Sequence, residues 1–137
     1  MSEHEEQAAL FLWARMNVGR YPELSWLFAV PNGGYRKLKT ARDLKAEGVK
    51  AGVPDVWFPI SGVHGEKPVK GLVIEMKYGK NKPTPEQDAW LTFLGGIGWR
   101  AEVCYSWKDA ARVICEHCMI SIEDSGLHPE GVIRIED

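Results

Sequence analysis

Cysteine is scarce in this chain, three in 137 residues, and an odd number without scaffold spacing argues against a disulfide-stapled fold and for a reducing compartment. No apolar run approaches the roughly 18 to 20 residues of a membrane span. The opening Met1-Ser2-Glu3-His4-Glu5-Glu6 lacks the basic region of a secretory signal. The expectation is a cytoplasmic protein with no membrane partner. Histidine is sparse too, at positions 4, 64, 117 and 128, without metal-ligand spacing. There is no Walker loop, no dinucleotide-binding glycine motif and no Ser-His-Asp arrangement, so those chemistries have no basis in the sequence.

What is present fits one packed domain. Apolar residues make up 45% of the chain and there are six Trp, enough for a core without staples. The net charge of -2 hides an asymmetry. Between Pro31 and Lys82 eleven Lys or Arg face five acids, whereas from Glu116 to Asp137 six acids face one Arg. Such a split suggests a polyanion partner on one side and a solvated acidic extension on the other.

The stretch from Gly52 to Lys77 carries the chemistry. Val56 to Ile60 and Leu72 to Lys77 read as buried strands, being short apolar runs bounded by Gly and Pro, with a Gly-rich turn from Ser61 to Gly71 between them. The period of two puts Glu75 and Lys77 on one face, and pairing of the strands brings Asp55 to it. Two carboxylates and an ammonium at one end of an apolar sheet cost free energy unless something binds there, and the usual partner is a divalent cation.

The remaining elements fall around this hairpin. Residues Glu3 to Met16 read as a helix, with Glu6, Leu10 and Trp13 on one stripe; Glu5, Ala9, Leu12 and Met16 form a comparable one, and periodicity does not choose between them. Acids in a first turn also suit the helix dipole without any further role. Trp26 to Val30 reads as a buried strand, stopped by Pro31-Asn32-Gly33-Gly34. A helix is predicted from Tyr35 to Gly48 with a polar surface dominated by Arg36, Lys37, Lys39, Arg42 and Lys45. Such a surface suits phosphate contacts or a plain solvated face equally. Lys50, Lys80 and Lys82 add to the charge near the hairpin. Thr84-Pro85-Glu86-Gln87 is a helix start with Gln87 placed to close a capping box. Trp99 to Tyr105 reads as a fourth strand and Trp107 to Met119 as a closing helix. Residues 131 to 135 suggest a short edge strand. Cys115 and Cys118 with His117 and His128 invite a zinc reading, but inside an amphipathic helix buried apolar cysteines are favoured.

Pro31-Asn32-Gly33-Gly34, Lys50-Ala51-Gly52-Val53-Pro54-Asp55, Ile74-Glu75-Met76-Lys77 and Thr84-Pro85-Glu86-Gln87 with Trp90, in this order of elements, resemble the VRR-NUC family of the PD-(D/E)xK nuclease superfamily, in particular its small stand-alone phage and bacterial members. The resemblance spans roughly residues 3 to 116. It implies an α/β, restriction-endonuclease-like fold, a mixed sheet of about four strands flanked by helices. Residues 1–119 would be the nuclease domain, and 120–137 an acidic extension packed on it or trailing it. It further implies a Mg²⁺- or Mn²⁺-dependent endonuclease acting on DNA. Asp55 and Glu75 match the metal-binding acids, Lys77 the catalytic lysine and Gln87 the helical Gln; Glu6, preceding Gln7, matches the early helical acid. The Met76 carbonyl would stand where the superfamily lends a backbone oxygen. Asn32, Arg36, Lys37, Lys39, Arg42, Lys50, Lys80 and Lys82 would contact DNA. Branched DNA such as a four-way (Holliday) junction and a homodimeric working unit complete the expectation, in a bacterial host cell if the protein is phage-encoded.

Overall fold

The computed structural model describes residues 1–32 and 40–127. Helix α1 (Glu3–Asn17) begins where Ser2 Oγ accepts from the Glu5 N–H, and its acidic first turn suits the positive end of the helix. A 3-10 helix at Pro22–Trp26 leads into strand β1 (Phe28–Ala29). Helix α2 (Ala41–Ala46) follows, capped by Thr40. Strands β2 (Val56–Phe58) and β5 (Leu72–Met76) pair antiparallel, and between them in the chain β3 (Gly62–His64) and β4 (Lys67–Val69) make a separate two-stranded hairpin. Helix α3 (Pro85–Gly96) then crosses over to β6 (Arg100–Cys104), which runs parallel to β5; parallel neighbours require such a crossover. Helix α4 (Trp107–Cys118) closes the domain.

The main sheet has the order β1-β2-β5-β6 and is mixed, as the sequence leads one to expect. One face carries Val56, Phe58, Leu72, Ile74 and Met76 into a core with Leu10 and Trp13 of α1 and Ala110, Ala111 and Ile114 of α4. Each large side chain taken fully out of water there contributes about 1.5 to 3 kcal/mol. Helix α3 packs beside β6 against the opposite face, burying Leu94. The charged residues emerge on that second face.

Three sequence expectations need correction. Trp26 to Val30 is not a buried strand: Trp26 ends the 3-10 helix, and the two-residue β1 is an exposed edge. Pro22 starts that helix, and the chain reaches the sheet only at Phe28. Ser61 to Gly71 is more than a turn, since it holds the β3–β4 hairpin, tightened at Gly65 with φ +65°. The helix expected from Tyr35 to Gly48 is described only over Ala41–Ala46; residues 35 to 39 lie outside the described residues, as does the strand suggested at 131 to 135. Beyond α4, Ile120 and Leu127 are buried in the main core, so the first part of the acidic extension packs on the domain.

Candidate active site

The register fixes the centre of the site. Val56 opposes Ile74, Trp57 opposes Val73 and Phe58 opposes Leu72. One step further, Asp55 opposes Glu75 and Pro54 opposes Met76. Proline has no N–H, so the ladder cannot continue there. The Met76 N–H donates instead to Asp55 Oδ2 at 2.9 Å, and the Met76 carbonyl has no amide donor on the facing residue. The sequence reading that gathers Asp55, Glu75 and Lys77 on one face is what the strands produce. Lys77 Nζ lies 3.5 Å from Glu75 Oε2, and both side chains are buried.

The electrostatics of this group are unbalanced. Glu75 is 1% exposed, and its Oε1 is buried without a hydrogen-bond partner. Burial, then the nearness and charge of the Asp55 carboxyl, push the Glu75 carboxyl up to about 8, against the opposing pull of Lys77.

Asn32 sits against the same pair. Its Nδ2 donates to Asp55 Oδ1 at 3.2 Å and to the Val53 carbonyl at 2.9 Å, tying the end of the first strand segment to the loop that carries Asp55. Expected as a DNA contact, it is seen here fixing the orientation of the carboxylate. Gly52 packs this loop on the start of α3, where a Cβ would fall 2.6 Å from the Glu86 carbonyl carbon; its φ of +82° also favours glycine. Trp90 Nε1 donates to the Ala51 carbonyl at 3.1 Å, a second tie between loop and helix.

The early helical acid is resolved differently from expectation. Glu6 is buried, as its stripe with Leu10 and Trp13 implies, but its Oε1 accepts the Trp107 N–H at 3.0 Å and so satisfies the first turn of α4. It does not line the cleft. Glu3 does, with Gln7 one helical turn later, on the side of α1 that faces Asp55 and Glu75. Burial and then the Asp55 charge raise the Glu3 carboxyl, while Lys77 lowers it. The i, i+4 spacing of Glu3 and Gln7 is the sequence signal that finds this pair.

These residues open into a cleft of about 1150 Å³ walled by α1, the segment from Gly48 to Val53 and the start of α3. Gln87 has two parts there: its Oε1 accepts the Thr84 N–H at 2.8 Å in a capping box, and it also lines the cleft. Lys50 stands on the wall. Arg42, Lys80 and Lys82 are exposed on α2 and on the loop after β5. Arg36, Lys37 and Lys39 lie outside the described residues. Among the described residues no three His, Cys, Asp or Glu side chains converge as a complete metal cage, so the zinc reading gains nothing. Burial lifts the Cys115 thiol to about 11 and the Cys118 thiol to about 12, and His117 Nε2 is taken by the Ile60 carbonyl.

The VRR-NUC domain family matches residues 2–108. A solved structure described as a VRR_NUC domain protein superposes on this chain with a TM-score of 0.70 at 25% identity, over 88% of this chain and 91% of that one. No curated protein matches.

Proposed function

The chain belongs to the VRR-NUC family of nuclease domains, and from that premise we propose that it is a divalent-metal-dependent DNA endonuclease acting on branched DNA as a homodimer. The observation that carries the reading is the Glu75 carboxylate, buried opposite Asp55 with one oxygen unpartnered. Two opposed carboxylates hold a cation more favourably than they hold each other. Their all-oxygen donor set suits Mg²⁺ or Mn²⁺. Asp55, Glu75 and the Met76 carbonyl would hold the ion, with Glu3 beside them. When bound, the ion would lower the pKa of a water and offset charge growing on the phosphate.

The protein's own groups account for the rest. Water attacks phosphorus, one P–O ester bond breaks, the water loses a proton, and the departing sugar oxygen gains one. Lys77, beside Glu75, would orient the attacking water or neutralise the extra charge on phosphorus in the transition state. Asn32 and the Met76 N–H hold Asp55 in one orientation, so little reorganisation is needed as the phosphate arrives. Lys50 on the cleft wall, with the exposed Arg42, Lys80 and Lys82, would supply positive charge for the sugar-phosphate backbone. Two-fold pairing would present two such sites to the two symmetric strands of a four-way junction.

The test is cleavage of duplex, nicked, flapped and four-way DNA with Mg²⁺ or Mn²⁺, alongside light scattering with and without junction. Cutting of the junction in preference to linear duplex by a species of dimer mass is the expected result. Equal cutting of both substrates would remove the branched-DNA part of the reading, and a monomer mass in both conditions the dimer part. No cutting of any substrate with either ion would remove the enzyme itself.

A further inference from the structure

The face of the sheet that bears the carboxylates also bears a row of aromatic rings. Asp55 and Trp57 are two residues apart, and Trp57 opposes Val73, itself two residues before Glu75. All of them therefore point to the same side. Phe28 opposes Trp57 from the edge strand, its ring 6.5 Å away and within 14° of parallel. Trp99 stands edge-on to Trp57 at 5.4 Å, with its ring over Gly71, where any Cβ would fall 2.5 Å from a ring carbon. Trp57 Nε1 donates to the Pro54 carbonyl at 3.0 Å, so the central ring is pinned to the residue next to Asp55.

This row is not closed into a core. Phe28 is 45% exposed and Trp57 and Trp99 are each part-exposed, because α3 covers this face only on the β6 side. Trp57, in the middle of the row, stands about 7 Å along the strand from Asp55, the rise of two strand residues. Lys70 stands alongside Gly98 next to Trp99 at one end of the row, and Lys77 stands with the carboxylates beside it. Rigid aromatic rings in a line, flanked by cations and continuous with a phosphodiester-cleaving centre, have the make-up of a surface for unpaired nucleotides. Every base has a π-face, and stacking tolerates any sequence. A blunt duplex keeps its bases paired and offers these rings nothing to stack on.

We propose that the Phe28–Trp57–Trp99 row is a stacking platform for unpaired bases next to the cleavage position, and that it gives this nuclease a preference for DNA carrying an unpaired strand, such as a flap. The proposal rests on the nuclease reading above.

The test is equilibrium binding of the full chain with Ca²⁺ in place of Mg²⁺, to a blunt duplex and to the same duplex carrying a single-stranded flap. Phe28→Ala should weaken flap binding by about tenfold and leave blunt-duplex binding within about twofold, since stacking on one ring is worth roughly that much. Trp57→Leu should act in the same direction. Because Trp57 is part-buried, quenching of wild-type tryptophan fluorescence by oligothymidylate serves as a second readout that needs no variant. Equal losses on both DNAs, or no loss on either, would overturn the platform while leaving the nuclease reading intact. So would a dimer that Phe28→Ala converts to monomer with unchanged flap preference, which would give the face to a second copy of the chain. A wild-type protein that binds neither DNA would overturn the nuclease reading and the platform with it.

Discussion

Replacing Glu75 by Gln should make the metal-free protein more stable. In the folded state the Glu75 carboxyl titrates near 8, against 4.5 for the unperturbed group, so the native state holds a proton that the unfolded state has released. Its contribution to stability is fully present below the unfolded value and is lost as pH climbs through the folded one. Across that window the wild type should lose about 1.4 kcal/mol per pH unit, which sums to about 4 kcal/mol by pH 8. Glutamine carries no charge to neutralise and still offers Lys77 an acceptor. Chemical unfolding of wild type and Glu75→Gln in EDTA at several pH values between 5 and 9 measures this directly. The two should be close at pH 5 and diverge towards pH 8, with the variant ahead, a gap of roughly 10 to 20 °C in Tm for a chain of this size. Added Mg²⁺ should raise the wild-type Tm and leave that of the variant unchanged. Parallel pH profiles, or a variant less stable than wild type at pH 8, would refute the claim that this carboxylate is held under electrostatic stress.

Four further outcomes follow from the same geometry. Lys77→Ala should abolish cleavage while Mg²⁺ still raises Tm, whereas Asp55→Asn should remove both effects; near wild-type cutting by Lys77→Ala would remove its catalytic role. Glu3→Gln should lower the cleavage rate at least about tenfold with little change in Tm, while Glu6→Ala, which strips a cap from α4, should cost about 1 to 2 kcal/mol of stability as judged by urea unfolding. The reverse pattern would return the site role to Glu6. Gly52→Ala should cost more than about 1 kcal/mol, since its φ and the close approach of α3 both exclude a side chain, with cleavage falling as the Asp55 loop shifts. Reversing Lys80 and Lys82 to Glu should weaken binding to all DNA alike and flatten its dependence on salt; an unchanged slope would make them a plain solvated surface.

The parts of the fold that were legible in the sequence are those where local chemistry and tertiary packing agree. The capping box at Thr84 and Gln87, the apolar runs of β2 and β5, and the clustering of Asp55, Glu75 and Lys77 all follow from patterns of two to four residues. The β3–β4 hairpin escaped because its strands are three residues long, largely polar, and carry Pro68, so they lack the alternation that marks a half-buried strand. Its two-residue connection, Gly65-Glu66, sits inside the stretch read as one Gly-rich turn from Ser61 to Gly71. Glu6 came from the resemblance, as the acid before Gln7, where periodicity left it level with Glu5, and nothing local says that its carboxylate accepts from an amide 101 positions away. Glu3 was named in neither stripe, and a carboxylate standing at the rim of a cleft leaves no mark in the apolar pattern.

The opposition of Asp55 to Glu75 also bears on how this chain finds its fold. Slide β2 against β5 by a single residue and the slipped strand turns over, so that Asp55 and Trp57 exchange places with Val56 and Phe58. That misaligned pairing would drive the Asp55 carboxylate against the apolar residues of α1 and α4. An unpaired carboxyl buried there costs several kcal/mol, on the order of the stability of an ordinary domain. The same groups that strain the native state thus make its nearest competitor inaccessible, and a variant with Asp55, Glu75 and Lys77 all made apolar should gain stability while losing its means of choosing one alignment. Slow or heterogeneous refolding of that triple variant, rather than weak final stability, is where the loss would first appear.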